Sequence, residues 1–311
     1  KCKFYNSLTF LMLNYFPAID IVLFFIRLKL CNKIFESLYG VFVMKKLSFA
    51  TALLASVFAM NAQAYQFEAN ASYENTDLDG LDADIDTVTV SGKYYLNPVN
   101  TKNAPLAEAA FSNKASNIGA GYANASGDGP EDIDVYGVSG EFFIPDTQFY
   151  VSGALNQVKL AGDKNTGYAV EAGFLPIDGL LFAVGASKES LDPTFVANHG
   201  FATSLGYMTT VGEDTAATLR AKYVTQIGGF NTNFEAQTAI GDETAYKLGA
   251  DLYIDPTLGV GVSFADSTVE DSDTIFSLHA KKFFTPQIAA GVSYTTTDGA
   301  DSFGLNGTFR F

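Results

Sequence analysis

From Tyr65 to the end of the chain, apolar and polar residues alternate with a period of two, the pattern of strands with one wet and one apolar side. The last run shows it most cleanly: Phe303, Leu305, Gly307, Phe309 and Phe311 fall on one face, and mostly polar residues on the other. The same alternation returns in Phe67/Ala69/Ala71/Tyr73, Val88/Val90/Gly92/Tyr94, Ile118/Ala120/Tyr122, Tyr168/Val170/Ala172/Phe174, Leu219/Ala221/Tyr223, Tyr246/Leu248/Ala250/Leu252 and Phe276/Leu278/Ala280. No helical repeat competes with it, and no run after Tyr65 approaches the roughly 20 apolar residues of a membrane-spanning helix.

The breaks between these runs are of two kinds. On one side stand short turns built on proline, namely Ile144-Pro145-Asp146, Leu175-Pro176-Ile177-Asp178-Gly179, Asp255-Pro256 and Thr285-Pro286, with Asn97-Pro98 in a longer one. Aromatic residues crowd beside them (Tyr94-Tyr95, Phe142-Phe143, Phe174, Tyr253, Phe283-Phe284), as they do where strand ends meet a membrane–water interface. On the other side the loops are longer and acidic: Glu74–Asp86, Ser126–Asp134, Ala161–Thr166, Glu189–His199, Gln226–Asp242, Ser267–Asp273 and Thr297–Asp301. The asymmetry predicts an all-β fold, a closed antiparallel transmembrane β-barrel of about fourteen strands with Pro-containing periplasmic turns and acidic extracellular loops. A secreted β-sandwich accounts for the alternation but not for aromatics gathered at one end of successive strands.

Composition sharpens this once the N-terminal part is set apart. Residues 44–64 read as a cleavable signal peptide: Met44-Lys45-Lys46, an apolar run from Leu47 to Met60, then Ala62-Gln63-Ala64, with cleavage expected after Ala64 and the barrel over residues 65–311. Residues 1–43 precede it and read as upstream translated sequence or a mis-set start, outside the mature fold; the competing reading, a membrane anchor, would leave the complete signal peptide that follows without a purpose. Cys2 and Cys31 both lie there, which leaves the barrel no thiol for a disulfide, a metal or a nucleophilic step. Residues 1–64 also hold seven of the 19 Lys and Arg and only two of the 34 Asp and Glu, so 12 basic and 32 acidic residues remain, a net of −20. A surface of that sign excludes nucleic acid as a partner.

If the apolar register faces lipid, the alternate residues face a lumen, and Glu68, Lys93, Glu141, Glu171, Arg220, Lys222, Lys247, Asp251, His279 and Lys281 become candidate pore-lining residues. Glu68, Glu141 and Glu171 come early and Arg220, Lys222, Lys247 and Lys281 late, which predicts opposed charges across the lumen and an ion preference at its narrowest point. For any single one, a solvated wall residue in a wide channel is the plainer account. The acidic run Asp77–Asp86 lacks the glycine and glutamate positions of an EF-hand and reads as a solvated loop able to meet lipopolysaccharide phosphates through divalent cations, with no metal site of its own. Only His199 and His279 are available as bases, and no Ser-His-Asp spacing or nucleophile elbow accompanies either, so no catalytic residue or cofactor is expected. A hydrolase would need one of them beside a nucleophile or an acid.

The stretch Tyr94-Tyr95-Leu96-Asn97-Pro98-Val99-Asn100, followed by Pro105-Leu106-Ala107-Glu108-Ala109-Ala110-Phe111 and Ala115-Ser116-Asn117, resembles a porin family of gamma-proteobacterial outer membranes. The Met44-Lys45-Lys46 signal, the Tyr65-Gln66-Phe67-Glu68 start and the closing Thr308-Phe309-Arg310-Phe311 are similar as well. The resemblance implies a small barrel porin, with inward-folded segments narrowing the lumen, that lets small hydrophilic solutes and ions diffuse across the outer membrane. It also implies that Phe311 resembles the signal read by the barrel-assembly machinery, a transient partner beside outer-membrane lipid and lipopolysaccharide. Pro105, Leu106, Glu108 and Phe111, in a segment too long and too apolar for a simple turn, are the candidate constriction, and the alternative is a packed turn with no effect on flux. The competing expectation is a non-conducting barrel that serves as a surface adhesin or envelope-structural protein.

Overall fold

The computed structural model describes residues 64–80, 83–102, 104–127, 132–160, 162–188, 215–270 and 272–311. The expectations for residues 1–43, for the signal segment up to residue 63 and for His199 lie outside the described residues.

Alternation becomes a closed sheet. The strands are β1 (Ala64–Leu78), β2 (Ala83–Asn100), β3 (Asn117–Gly127), β4 (Ile133–Phe143), β5 (Phe149–Leu160), β6 (Asp163–Ile177), β7 (Leu180–Lys188), β8 (Ala216–Ile227), β9 (Phe230–Ile240), β10 (Thr244–Asp255), β11 (Leu258–Ser267), β12 (Ile275–Thr285), β13 (Ile288–Thr297) and β14 (Ala300–Arg310). Each pairs antiparallel with its neighbours in sequence, and β1 closes on β14 in the register Glu68↔Arg310. Closure leaves no unpaired sheet edge, which a bilayer interior does not tolerate.

The two faces are inverted relative to a water-soluble sheet. Val184 is 60% exposed and Leu155 58% on the outside, with Val88, Val138, Val170 and Leu248 similarly bare, while Glu68, Asn70, Thr89, Lys247, Thr308 and Arg310 are buried within. At the end away from the termini, the apolar belt stops at repeated tyrosine–aspartate pairs between adjacent strands. Tyr73 donates to Asp86 (2.6 Å), Tyr122 to Asp134 (2.7 Å), Tyr246 to Asp266 (3.2 Å) and Tyr294 to Asp301 (2.8 Å).

Three loop expectations are corrected, the first being Ala161–Thr166, in which Asp163–Thr166 already belong to β6 and pair with Gln157–Leu160 of β5. Gln226–Asp242 is not a loop: it holds the end of β8, a Gly228-Gly229 turn, the whole of β9 and the start of a short turn into β10. The turn carries no proline, and both glycines have positive φ (59° and 88°), the backbone that a two-residue hairpin requires. Thr232 and Thr238 interrupt the outward register of Phe230, Phe234, Ala236 and Ile240 and hide the strand. The acidic run Asp77–Asp86 is likewise shorter as a loop, since Asp77 pairs in register with Asp84 and Asn75 with Asp86 on β1 and β2.

Close approach rather than a turn fixes Gly185 in β7. A Cβ there would overlap the Val170 carbonyl oxygen of β6 and lie 2.8 Å from the Thr218 hydroxyl of β8. Gly185→Val is therefore expected to destabilise the folded barrel by about 1–3 kcal/mol, the usual cost of overpacking. A urea midpoint unchanged from wild type would refute this.

Candidate functional site

The long connection between β2 and β3 determines what the barrel interior is like at the terminal end. After Asn100 the chain enters a 3-10 turn (Leu106–Glu108) and a single helical turn, α1 (Ala109–Ser112), instead of a hairpin. Asn113 fixes the return: its side-chain amide donates to the carbonyls of Ala109 (2.7 Å) and Asn100 (2.9 Å). The alternation of small and large apolar residues in Pro105–Phe111 has a use, because the segment lies against several parts of the inner wall at once.

Ala109 and Ala115 pack with Tyr65, Tyr95 and Val99 of the adjacent strands. Leu106 packs with Phe283 of β12 and Ala289 of β13, and its amide donates to the Pro256 carbonyl in the β10–β11 turn (2.7 Å). Phe111 meets the cluster of Tyr150, Leu175 and Leu181 together with Phe143. Glu108, only 6% exposed, accepts from the Tyr253 hydroxyl of β10 (2.6 Å) and pairs with Lys222 of β8 (2.9 Å). The segment thus bridges from its own strands to the far wall, as a plug.

Beside the plug and above it, the inner wall carries charges that pair along the sheet. Glu68 meets Arg310 (2.6 Å), and Glu141 meets Lys93 (3.8 Å), Asn117 (2.9 Å) and Tyr150 (3.0 Å). Glu171 is held by two nitrogens of Arg220 (3.1 and 2.9 Å), whose guanidinium also donates to the Tyr150 hydroxyl (3.0 Å). Lys222 is shared between Glu108 and Glu235 (2.6 Å). Asp251 meets His279 (2.6 Å) and Asn233 (2.9 Å). The Asp251–His279 bridge crosses β11 above Gly261, where any Cβ would strike both side chains. Lys247 lies in electrostatic range of Glu235 and Asp251, and Lys281 of Glu68 and Arg310.

All ten predicted lumen residues therefore sit on the inner register, but the expected opposition across the lumen is replaced by pairing between neighbours. Because the barrel closes, early Glu68 and late Arg310 are adjacent, and Glu171 and Arg220 are separated by β7 alone. His279 does stand beside an acid, though among the described residues no cluster of three or more His, Cys, Asp or Glu has metal-binding geometry.

Sequence reasoning missed Arg310, Glu235, Tyr150 and Tyr253. Arg310 was readable from the polar register of the last strand; Glu235 was lost with β9. Alternation places Tyr253 with the other turn aromatics at the membrane interface, and Tyr150, the second residue of β5, belongs to none of the runs or doublets that the sequence singles out. In the structure each doublet divides: Tyr94, Phe142 and Phe284 face outward, while Tyr95, Phe143 and Phe283 face the plug. Tyr253 also points inward and is no girdle residue.

A family model described as "Putative general bacterial porin" matches residues 44–311. The chain belongs to this porin family. The crystal structure of the Acinetobacter baumannii outer membrane protein Omp33 is similar to it at 32% identity, covering 80% of this chain and 99% of that one with a TM-score of 0.63. A Pseudomonas putida OprB structure shares 10% identity over 86% of this chain and 98% of that one, with a TM-score of 0.42. No curated protein matches the sequence. This is an outer-membrane porin, a channel for small solutes. In that setting the short turns and both barrel termini belong to the periplasmic side, so the plug occupies the porin's periplasmic mouth.

Proposed function

We propose that this porin passes small hydrophilic solutes and ions by passive diffusion through a narrow, charged lumen whose periplasmic mouth the Pro105–Phe111 plug constricts. The observation that carries the reading is Glu108, anchored on the opposite wall by Lys222 and Tyr253. Glu68, Lys93, Glu141, Glu171, Arg220, Lys222, Lys247, Asp251, His279 and Lys281 are assigned as lumen determinants, with Glu235 and Arg310 added. Their mutual pairing leaves little net charge along the wall, so selectivity is weak and is tilted toward cations by the acidic loops. No side chain is assigned a catalytic role and no cofactor is required.

In the same reading, residues 44–64 direct export and are removed, Phe311 presents the barrel to the assembly machinery, and the outward tyrosine–aspartate pairs meet the lipopolysaccharide headgroup zone. Phe311 supports its part by sitting beside Phe67, rings 4.7 Å apart, at the seam between first and last strands. The test is single-channel recording in a planar bilayer of protein expressed from Met44, with a salt gradient. Small, infrequent steps with a reversal potential displaced slightly toward the cation limit are expected. Silence both from the wild type and from a variant lacking the plug, each in folded heat-modifiable form, would reject diffusion and leave the adhesin or structural role.

A further inference from the structure

We propose that Arg310 positions the plug and thereby couples closure of the periplasmic mouth to closure of the barrel itself; the inference rests on the plug reading above. Arg310 is the last residue of β14 and is 3% exposed. One edge of its guanidinium faces the seam, with Nε donating to Glu68 of β1 at 2.6 Å. The other faces the plug, with Nη1 donating to the Leu106 carbonyl at 2.8 Å. Its charge centre lies 4.5 Å from the ring centroids of both Tyr65 on β1 and Phe283 on β12.

The peptide groups of Leu106 are therefore gripped on both sides, the amide by Pro256 and the carbonyl by Arg310, while its side chain lies against Phe283 and Ala289. A planar group with several fixed donors and two stacking faces can satisfy seam, plug and rings together, and an ammonium cannot. Chain order gives this geometry its consequence. Leu106 lies between β2 and β3, but Arg310 reaches its place only when β14 pairs with β1. Before the seam closes, the Leu106 carbonyl has no arginine; afterwards the mouth is latched. The barrel is thus completed in its constricted state.

The experiment compares Arg310→Lys, Arg310→Leu, Glu68→Gln, a variant with residues 105–111 replaced by a Gly-Ser linker, and that linker variant carrying Arg310→Lys, all recorded in planar bilayers. Arg310→Lys retains a charge for Glu68 and is the decisive variant should Arg310→Leu fail to fold. It is expected to shift the open-to-closed ratio roughly tenfold or more, as loss of a hydrogen bond from a charged group does, and to add nothing once the linker is present. Glu68→Gln is expected to lower the heat-modifiability temperature with a smaller gain in current. An Arg310→Lys current equal to wild type, with the linker variant open, overturns the latch and leaves the plug standing. A linker variant no more open than wild type overturns the plug and the latch with it. The order of events is read from a Leu106→Cys/Ala289→Cys pair during refolding, in a chain expressed from Met44 with no native cysteine. Crosslinking should appear with the heat-modifiable form, and crosslinking ahead of it would refute the coupling.

Discussion

Replacing residues 105–111 with a short Gly-Ser linker is expected to convert rare, small openings into a steady current, raising mean conductance per barrel at least roughly tenfold. The estimate follows from what seats the plug. A hydrogen bond to a charged group contributes about 1.5–3 kcal/mol, and each 1.4 kcal/mol is a tenfold bias between states. Glu108 alone makes two charged contacts, to Tyr253 and Lys222, and Leu106 receives a third from Arg310. The side chains that line the socket, among them Tyr95, Leu181 and Phe283, would face water after removal, so some loss of thermal stability should accompany the gain in current. The strand ladder does not depend on the plug, and heat-modifiability on a gel should persist. A linker variant that folds and conducts no better than wild type would show that the mouth is limited elsewhere.

The barrel was legible because a membrane forces strand chemistry into the sequence: one face must be apolar along its whole length, and the other need not be. That constraint places Glu171, Arg220 and Lys281 on the inner wall from parity alone. Parity says nothing about height or partner, and hence Glu171 and Arg220 read as opposed charges when they are an ion pair on strands separated only by β7. The rule also weakens where it is locally broken. Thr232 and Thr238 fall on the lipid face of β9, which hides the strand and its Glu235 from alternation alone. The aromatic doublets defeat it differently, since Phe283 and Phe284 serve two interfaces, plug and lipid, and only three-dimensional packing tells which residue faces which. The plug itself was visible as a segment too apolar for a turn, but its contacts on the far wall leave no trace in spacing.

Lys222 is where the wall and the plug depend most on one charge, and Lys222→Met is expected to have the second large effect. The ammonium lies 2.9 Å from Glu108 of the plug and 2.6 Å from Glu235 of β9, and 5.1 Å from the centroid of the Phe111 ring. Methionine fills a similar volume without charge, so the variant keeps the packing and leaves two carboxylates sharing a little-exposed site. Removing one partner of a buried ion pair costs about 3–5 kcal/mol, far more than the intact pair contributes net. The wall is fixed by its hydrogen-bonded strands, whereas Glu108 sits on one 3-10 turn, so the repulsion should be relieved by displacing the plug. Conductance should rise toward that of the linker variant, and the reversal potential should move toward the cation limit. Adding Glu108→Gln to Lys222→Met removes the excess charge at the plug and should restore much of the closed state, whereas general damage to the barrel would not be repaired. If Lys222→Met leaves current and selectivity unchanged, or if the double variant stays as open as the single one, the Lys222–Glu108 contact does not hold the mouth closed.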